Sequence, residues 1–286
     1  YEMLRSLVGS EMCIRDRYLA FAGVDWRDLF SHIKACNPFW IISAVTLTCI
    51  SYLARAYRWK FFFPTKRLSY PEATKILFLG FFMNNILPAR AGELVRAHVG
   101  AKLSGERRTL LLATIASERL VDGLTISLMF VGFALGLGDP TMSAELLYVA
   151  FAFGGAALAV LVTLAWRKYL FTLAQRLSAR INHKASNYAA NRFEMFIEGL
   201  SPLTNPSRLP AITFWSTAIW FVELGVYVCV TRAYGVEISL PACVLFLVAV
   251  NFSSLIPSAP GAFGVIEFVA KAVLVSIGIR PELALA

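Results

Sequence analysis

The sequence predicts an all-α fold: a polytopic membrane helical bundle with two broken or re-entrant helices. Three observations carry this. Of 286 residues, 58% are hydrophobic and only 16% are charged, against about 45–50% and about 25% in soluble domains, and the mean hydropathy is +0.64. Several stretches near the length of a bilayer crossing carry no charge. Two of the apolar stretches are cut by proline, glycine and asparagine. With 13% aromatic residues the chain is not disordered.

The elements follow in order. Residues 1–17 carry six charges, match no neighbouring pattern and resemble translated adapter sequence, so they are set aside as a non-native leader. Residues 18–286 are expected to be one integral membrane domain, truncated at both ends. Residues 38–54 are uncharged and end in Arg55, Arg58 and Lys60, which predicts a first span over 38–59. Residues 76–89 are apolar but short, and Asn84, Asn85 and Pro88 interrupt them. Residues 109–137 form a long run that holds Glu118, Arg119 and Asp122; Gly132 and Gly136 add a GxxxG packing signal. Residues 146–166 are uncharged, and 209–231 form another span with Glu223 inside. Residues 238–266 are uncharged but contain Pro241, Pro257, Pro260, Gly261 and Gly264, and a last helix runs from about 264 to 279.

Lys and Arg in the connections set the orientation. Segment 167–208 has seven basic residues against Glu194 and Glu198, and reads as a cytoplasmic amphipathic stretch on the membrane surface. The acidic connection 138–145 suits the other side. Segments 60–75 and 90–108 are both basic, so 76–89 is expected to enter, break at Asn84–Pro88 and return rather than cross. Broken backbone at membrane depth is tolerated only where protein or a watery cavity covers it.

A second break resembles the first. ILPARAG (86–92) aligns with LIPSAPG (255–261), Pro88 with Pro257 and Gly92 with Gly261. Chance explains so short a match as well as an inverted repeat does, and both readings stand; inverted repeats with broken helices that meet near the midplane are a transporter plan.

The chemistry-bearing residues sit at these places. A helix that begins near residue 91 would aim its free N–H groups at the break, with Arg90 and Arg96 able to hold a phosphate and Glu93 able to pair with an arginine. A re-entrant loop with snorkelling arginines is the plainer reading. Glu118 and Asp122 share a helical face with Arg119 nearby; they could face a cavity and pair across to Arg90 or Arg96 or relay protons, or form a buried salt bridge that fixes two helices in register. Glu223 needs a partner on another helix, whereas Glu267 and Lys271 are spaced to pair with each other. Trp26, Trp40, Trp59, Trp166 and Trp215 lie near span ends, as interface anchors do.

Other classes fit poorly. The net charge of +9 is spread over short connections, so nucleic acid is not expected as a partner. Five cysteines without a CxxC and three scattered histidines give no disulfide framework and no metal site. There is no P-loop, GxSxG or HExxH, so no cofactor and no catalytic residues are assigned.

NNILPARAGELVRAHV, ATIASERLVDGL and IPSAPGAFGVIEF together resemble the family of lysylphosphatidylglycerol synthase transmembrane regions, also described as flippase-like domains. The resemblance covers roughly residues 20–286. On the matching positions it implies functional roles for Asn85, Pro88, Arg90, Gly92, Glu93 and Arg96, for Glu118, Arg119 and Asp122, and for Pro257, Pro260, Gly261, Gly264 and Glu267. It implies a multi-pass protein of a prokaryotic cytoplasmic membrane that moves anionic phospholipid or a polyprenyl or hopanoid-type lipid between leaflets. Full synthases add a soluble aminoacyl-transferase domain that nothing in this sequence resembles, so lipid aminoacylation is not expected. A membrane-embedded transferase acting on lipid-linked phosphate is the alternative. A third reading is a non-catalytic subunit, as a homo-oligomer or beside a lipid-modifying enzyme.

Overall fold

The computed structural model describes residues 26–63, 68–137, 201–253, 260–262, 264–280 and 283–284, with isolated positions between 148 and 169. The leader, the connection 138–145, most of 146–166, most of the amphipathic segment and Pro257 lie outside the described residues. Within them the regular elements are helical throughout: α1 (Trp26–Ala35), α2 (Pro38–Phe62), α3 (Tyr70–Ile86), α4 (Gly92–Ser104), α5 (Arg108–Leu137), α6 (Leu209–Ala233), α7 (Leu240–Ser253) and α8 (Val265–Ser276). α2 and α6 are each long and apolar enough to cross a membrane.

Local chemistry sets the ends. Asn37 caps α2, its Oδ1 accepting from the Phe39 N–H at 3.0 Å, and Pro38 follows at the first helical position. Ser69 and Glu72 form a capping box at α3, and Pro71 sits in its first turn. The Ser69 hydroxyl and backbone amide hold the Glu72 carboxyl below its ordinary range. Ser69→Ala removes the box and is expected to cost about 1 kcal/mol; faster amide exchange confined to the first turn of α3 is the check. Pro88 ends α3, since the residue before a proline is pushed out of the helical region: Leu87 sits at φ −94°, ψ 141°.

α2 and α6 form the central pair, and they run antiparallel. The start of α2 meets the end of α6, where Asn37 N–H donates to the Ala233 carbonyl at 2.8 Å. The end of α2 meets the start of α6, where Arg208 donates to the carbonyls of Phe61 and Phe63. Midway, Arg55 reaches Glu223 at 3.0 Å. This places the basic end of α2 and the start of α6 on one side, as the charge pattern requires.

α3 and α4 make a tight antiparallel hairpin: Gly80 packs against Arg96, and Gly92 against Gly80 and Asn84. Tyr52, near the middle of α2, contacts Phe78 and Phe81. The last turn of α3 therefore lies level with the centre of α2, and the break after it sits deep. The helix over 76–89 thus ends at the break before Pro88, and α4 turns back along it.

The same plan recurs downstream. α6 has 25 residues, like α2, and begins with a proline in its first two positions, like α2. α7 begins with Ser239 and Pro241 where α3 has Ser69 and Pro71, and Ser239 Oγ accepts from the Ala242 N–H. A 3-10 turn then precedes the last helix of each set: Pro88–Arg90 before α4, Pro260–Ala262 before α8. The third residue of each turn is left-handed, Arg90 at φ 56° and Ala262 at φ 55°. The equivalent of Pro88 is thus Pro260, three residues beyond the sequence alignment to Pro257. Because the corresponding helices α2 and α6 run antiparallel, the two sets are related by inversion, and their turns pack on each other.

Two apolar clusters fill the bundle. One joins α2 to α5 around Trp59, Phe62, Ile76 and Leu111; the other joins α5, α6 and α7 around Phe130, Trp220 and Leu247. Within a bilayer such contacts stabilise through close packing rather than escape from water. Among the described residues Gly132 has no atom within 4 Å of the place a Cβ would take, so no close helix contact is seen at that glycine. It lies instead on an apolar groove of about 660 Å³ between α5 and α6.

Candidate functional site

The site grows from one helix face. Arg55 and Arg58 are three apart near the end of α2, and Glu118 and Asp122 are four apart on α5, so each pair projects from one face. Arg58 is wholly buried. Its Nη1 donates to Asp122 Oδ1 at 2.6 Å and to Ser216 Oγ at 2.9 Å; its Nη2 donates to Glu118 Oε1 and Asp122 Oδ2, both at 3.2 Å. Trp220 Nε1 donates to Asp122 Oδ1 at 3.0 Å. Arg96, 3% exposed, reaches Glu118 Oε2 at 2.8 Å from α4. Its guanidinium lies 3.9 Å from the Trp59 ring centroid, and Gly80 leaves the room for its stem. On the far side Glu223 accepts from Arg55 at 3.0 Å and from Ser51 at 2.7 Å. Charges sealed from water persist only when paired and hydrogen-bonded; each charge here has an opposite partner, although Arg58 Nε and Arg96 Nε find no acceptor among the described residues.

The rim of the network is different. Arg119 and Glu93 are each 29% exposed, and Arg119 Nε stands 3.6 Å from Glu93 Oε1, beyond hydrogen-bond reach. Arg119 also lies 3.4 Å from Glu118 and 3.9 Å from Asp122. Arg90, half-buried, feels the charges of both Arg119 and Glu93. It comes from the first turn, so the rim lies beside the contact between the two breaks. Asn84 Oδ1 is buried against Gly92 with no hydrogen-bond donor among the described residues. Asn85 is exposed and donates to the Phe81 carbonyl at 3.2 Å. Pro88 opens the first turn. In the second, Gly261 and Gly264 both have positive φ, and Glu267 Oε2 accepts from the Gly264 N–H at 2.6 Å.

The sequence-predicted residues thus fall into three groups. Arg96, Glu118 and Asp122 are sealed in the ion network, joined on its far side by Glu223. Arg90, Glu93 and Arg119 form its rim, beside Asn84, Asn85, Pro88 and Gly92. Gly261, Gly264 and Glu267 build the second break. Sequence reasoning missed Arg55, Arg58, Ser216 and Trp220. It took the two arginines for a basic helix end, although an arginine four residues inside an apolar helix is itself a signal. Trp59 is not an interface anchor: it is wholly buried, and its Nε1 donates to Thr114 at 3.3 Å.

Residues 17–286 match the family described as Lysylphosphatidylglycerol synthase TM region, and the chain belongs to that family. A UPF0104 membrane protein of Methanothermobacter thermautotrophicus is 26% identical over 271 residues, covering 86% of this chain and 76% of that protein. The UPF0104 membrane protein PH1989 of Pyrococcus horikoshii is 23% identical, covering 85% and 79%. Glycosyltransferase AglD of Haloferax volcanii is 26% identical over 92% of this chain but 47% of its own length. No solved structure shows a significant match.

Proposed function

We propose that this member of the lysylphosphatidylglycerol synthase TM-region family takes the phosphate of a membrane lipid into the first break and passes the lipid between leaflets of a prokaryotic cytoplasmic membrane. The observation that carries the reading is the position of Arg90 and Arg119, at the meeting point of two inverted breaks and above a sealed ion network. Arg90 supports it through its backbone. A left-handed φ costs a non-glycine residue about 1–2 kcal/mol, and the equivalent place in the second turn holds a small residue, Ala262. An arginine kept under that strain argues for a use of its side chain.

In this mechanism Arg90 and Arg119 hold the phosphate by charge-assisted hydrogen bonds. Arg58, Arg96, Glu118 and Asp122 do not touch the lipid; they fix Arg119 and the α4 hairpin in place. The hydrocarbon chains stay in the bilayer. No bond in the lipid is made or broken, so the reading gives the chain no enzymatic step.

Arg90→Asn is the test, because asparagine tolerates the left-handed region and only the charge and reach are lost. Leaflet-resolved movement of a fluorescent phospholipid in proteoliposomes is expected to slow about tenfold, the loss of one charge-assisted contact, with thermal stability unchanged. Full transport by folded Arg90→Asn protein contradicts the reading. A transferase reading is favoured by one observation, the name of the AglD relative. A covalently altered lipid-linked phosphate after incubation with purified protein would establish it.

A further inference from the structure

We infer that Glu93 is a displaceable internal counter-ion: its carboxylate stands where the lipid phosphate binds, and its removal strengthens phosphate binding. This rests on the headgroup reading of Arg90 and Arg119.

Three observations carry it. Glu93 stands 3.6 Å from Arg119 Nε, in the first turn of the helix that follows Arg90. A carboxylate beside the outer edge of a guanidinium whose Nη2 is already committed to Glu118 at 3.4 Å stands where an anionic phosphate oxygen would come. It is also held loosely. The Arg119 contact is longer than a hydrogen bond, both groups are 29% exposed, and Arg119 Nε has no hydrogen-bond acceptor among the described residues. Glu118 differs in each respect, being sealed at 0% exposure and bonded by Arg58 at 3.2 Å and Arg96 at 2.8 Å.

The inverted repeat supplies the contrast. Each helix after a break carries a carboxylate in its first turn, Glu93 in α4 and Glu267 in α8. Glu267 is committed to its own helix, bonded at 2.6 Å to the Gly264 N–H. The start of α4 has no side-chain cap. Glu93 therefore leans outward to the arginines, and in the first turn it keeps a favourable position near the positive helix end when it lets go of them. A headgroup can replace it only by offering an anionic oxygen. This makes Glu93 a specificity-determining residue: lipids with a phosphate displace it, and lipids without one leave it in place.

The experiment is a titration of purified full chain in neutral detergent with short-chain phosphatidylglycerol and, separately, with short-chain diacylglycerol, which lacks the phosphate. Glu93→Gln is expected to bind phosphatidylglycerol about two- to fivefold tighter, the range a partly exposed ion pair allows, with diacylglycerol unaffected. Glu93→Asp, whose shorter side chain draws the carboxylate away from Arg119, should tighten binding less; it decides the matter if the glutamine variant does not fold. Unchanged or weaker phosphatidylglycerol binding in these variants, while Arg90→Asn still weakens it, overturns the counter-ion role and leaves the site standing. Unchanged binding in Arg90→Asn removes the site, and this inference with it.

Discussion

Arg58→Met is expected to lower the unfolding free energy by about 3–5 kcal/mol, the cost of leaving buried charges without their partner. Arg58 makes four of the hydrogen bonds that satisfy the network: two to Asp122, one to Glu118 and one to Ser216. Methionine fills much of the same volume, so the loss is electrostatic rather than a cavity. Asp122 then keeps Trp220 at 3.0 Å but only the longer contacts to Arg55, at 3.7 Å, and Arg119, at 3.9 Å. Adding Asp122→Asn should recover a large part of the loss, because the orphaned charge goes with it. Unfolding in mixed micelles, read as a double-mutant cycle, measures this. Additive losses from the two substitutions would show that Arg58 and Asp122 are not coupled.

Gly92→Ala acts on the backbone instead. A Cβ at Gly92 would press on the Gly80 carbonyl oxygen and stand 2.5 Å from Asn84 Oδ1 and 2.6 Å from the Asn84 nitrogen. Two of these are main-chain atoms of α3, so relief requires the hairpin to open. A cost of about 3 kcal/mol, at the upper end for overpacking, is expected. Since the hairpin carries Arg90, Glu93 and Arg96, phospholipid transport should fall with it. Gly132→Ala, with no atom of the described residues within 4 Å of the new methyl, is the matched control and should be neutral in both assays. Equal stability of the two variants would mean that α3 and α4 do not pack as closely as the glycines indicate.

Much of this architecture is written in local chemistry. The span over 38–59 became Pro38–Phe62 and that over 209–231 became Leu209–Ala233, because uncharged length and a terminal proline mark such helices without help from packing. The break at Pro88 was legible for the same reason: a proline restricts its neighbour whatever surrounds it. The register of the repeat was not. Pro257 and Pro260 are both followed by small residues, and only the left-handed Ala262, matching Arg90, selects Pro260. Pairing across helices was legible only in part. Glu118 and Asp122 announce a buried charge site with Arg96 among the partners they could reach, and Arg96 does bond Glu118, but nothing in α5 says that Arg58 completes the site from α2. Arg96 illustrates the limit. By spacing it belongs with Arg90 beside the break, and the structure turns it inward onto Trp59 and Glu118.

The inverted arrangement also explains why so much charge survives at this depth. Antiparallel α2 and α6 bring a basic stretch of one repeat, Arg55 and Arg58, against Ser216, Trp220 and Glu223 of the other. Arg55 and Glu223 pair across the two, whereas Arg58, Arg96, Glu118 and Asp122 pair with one another on α2, α4 and α5. The rim of Arg90, Glu93 and Arg119 lies outside this sealed set.

A phospholipid analogue with a photoreactive group beside its phosphate, incorporated with the protein into vesicles and cross-linked, tests the whole account. Mapped adducts should cluster on residues 84–93 and 260–267, the two turns that meet, and fall away in Arg90→Asn. Adducts spread over the outer faces of α2 and α6, at Phe39, Ile42 and Phe214, and absent from both turns, would contradict it.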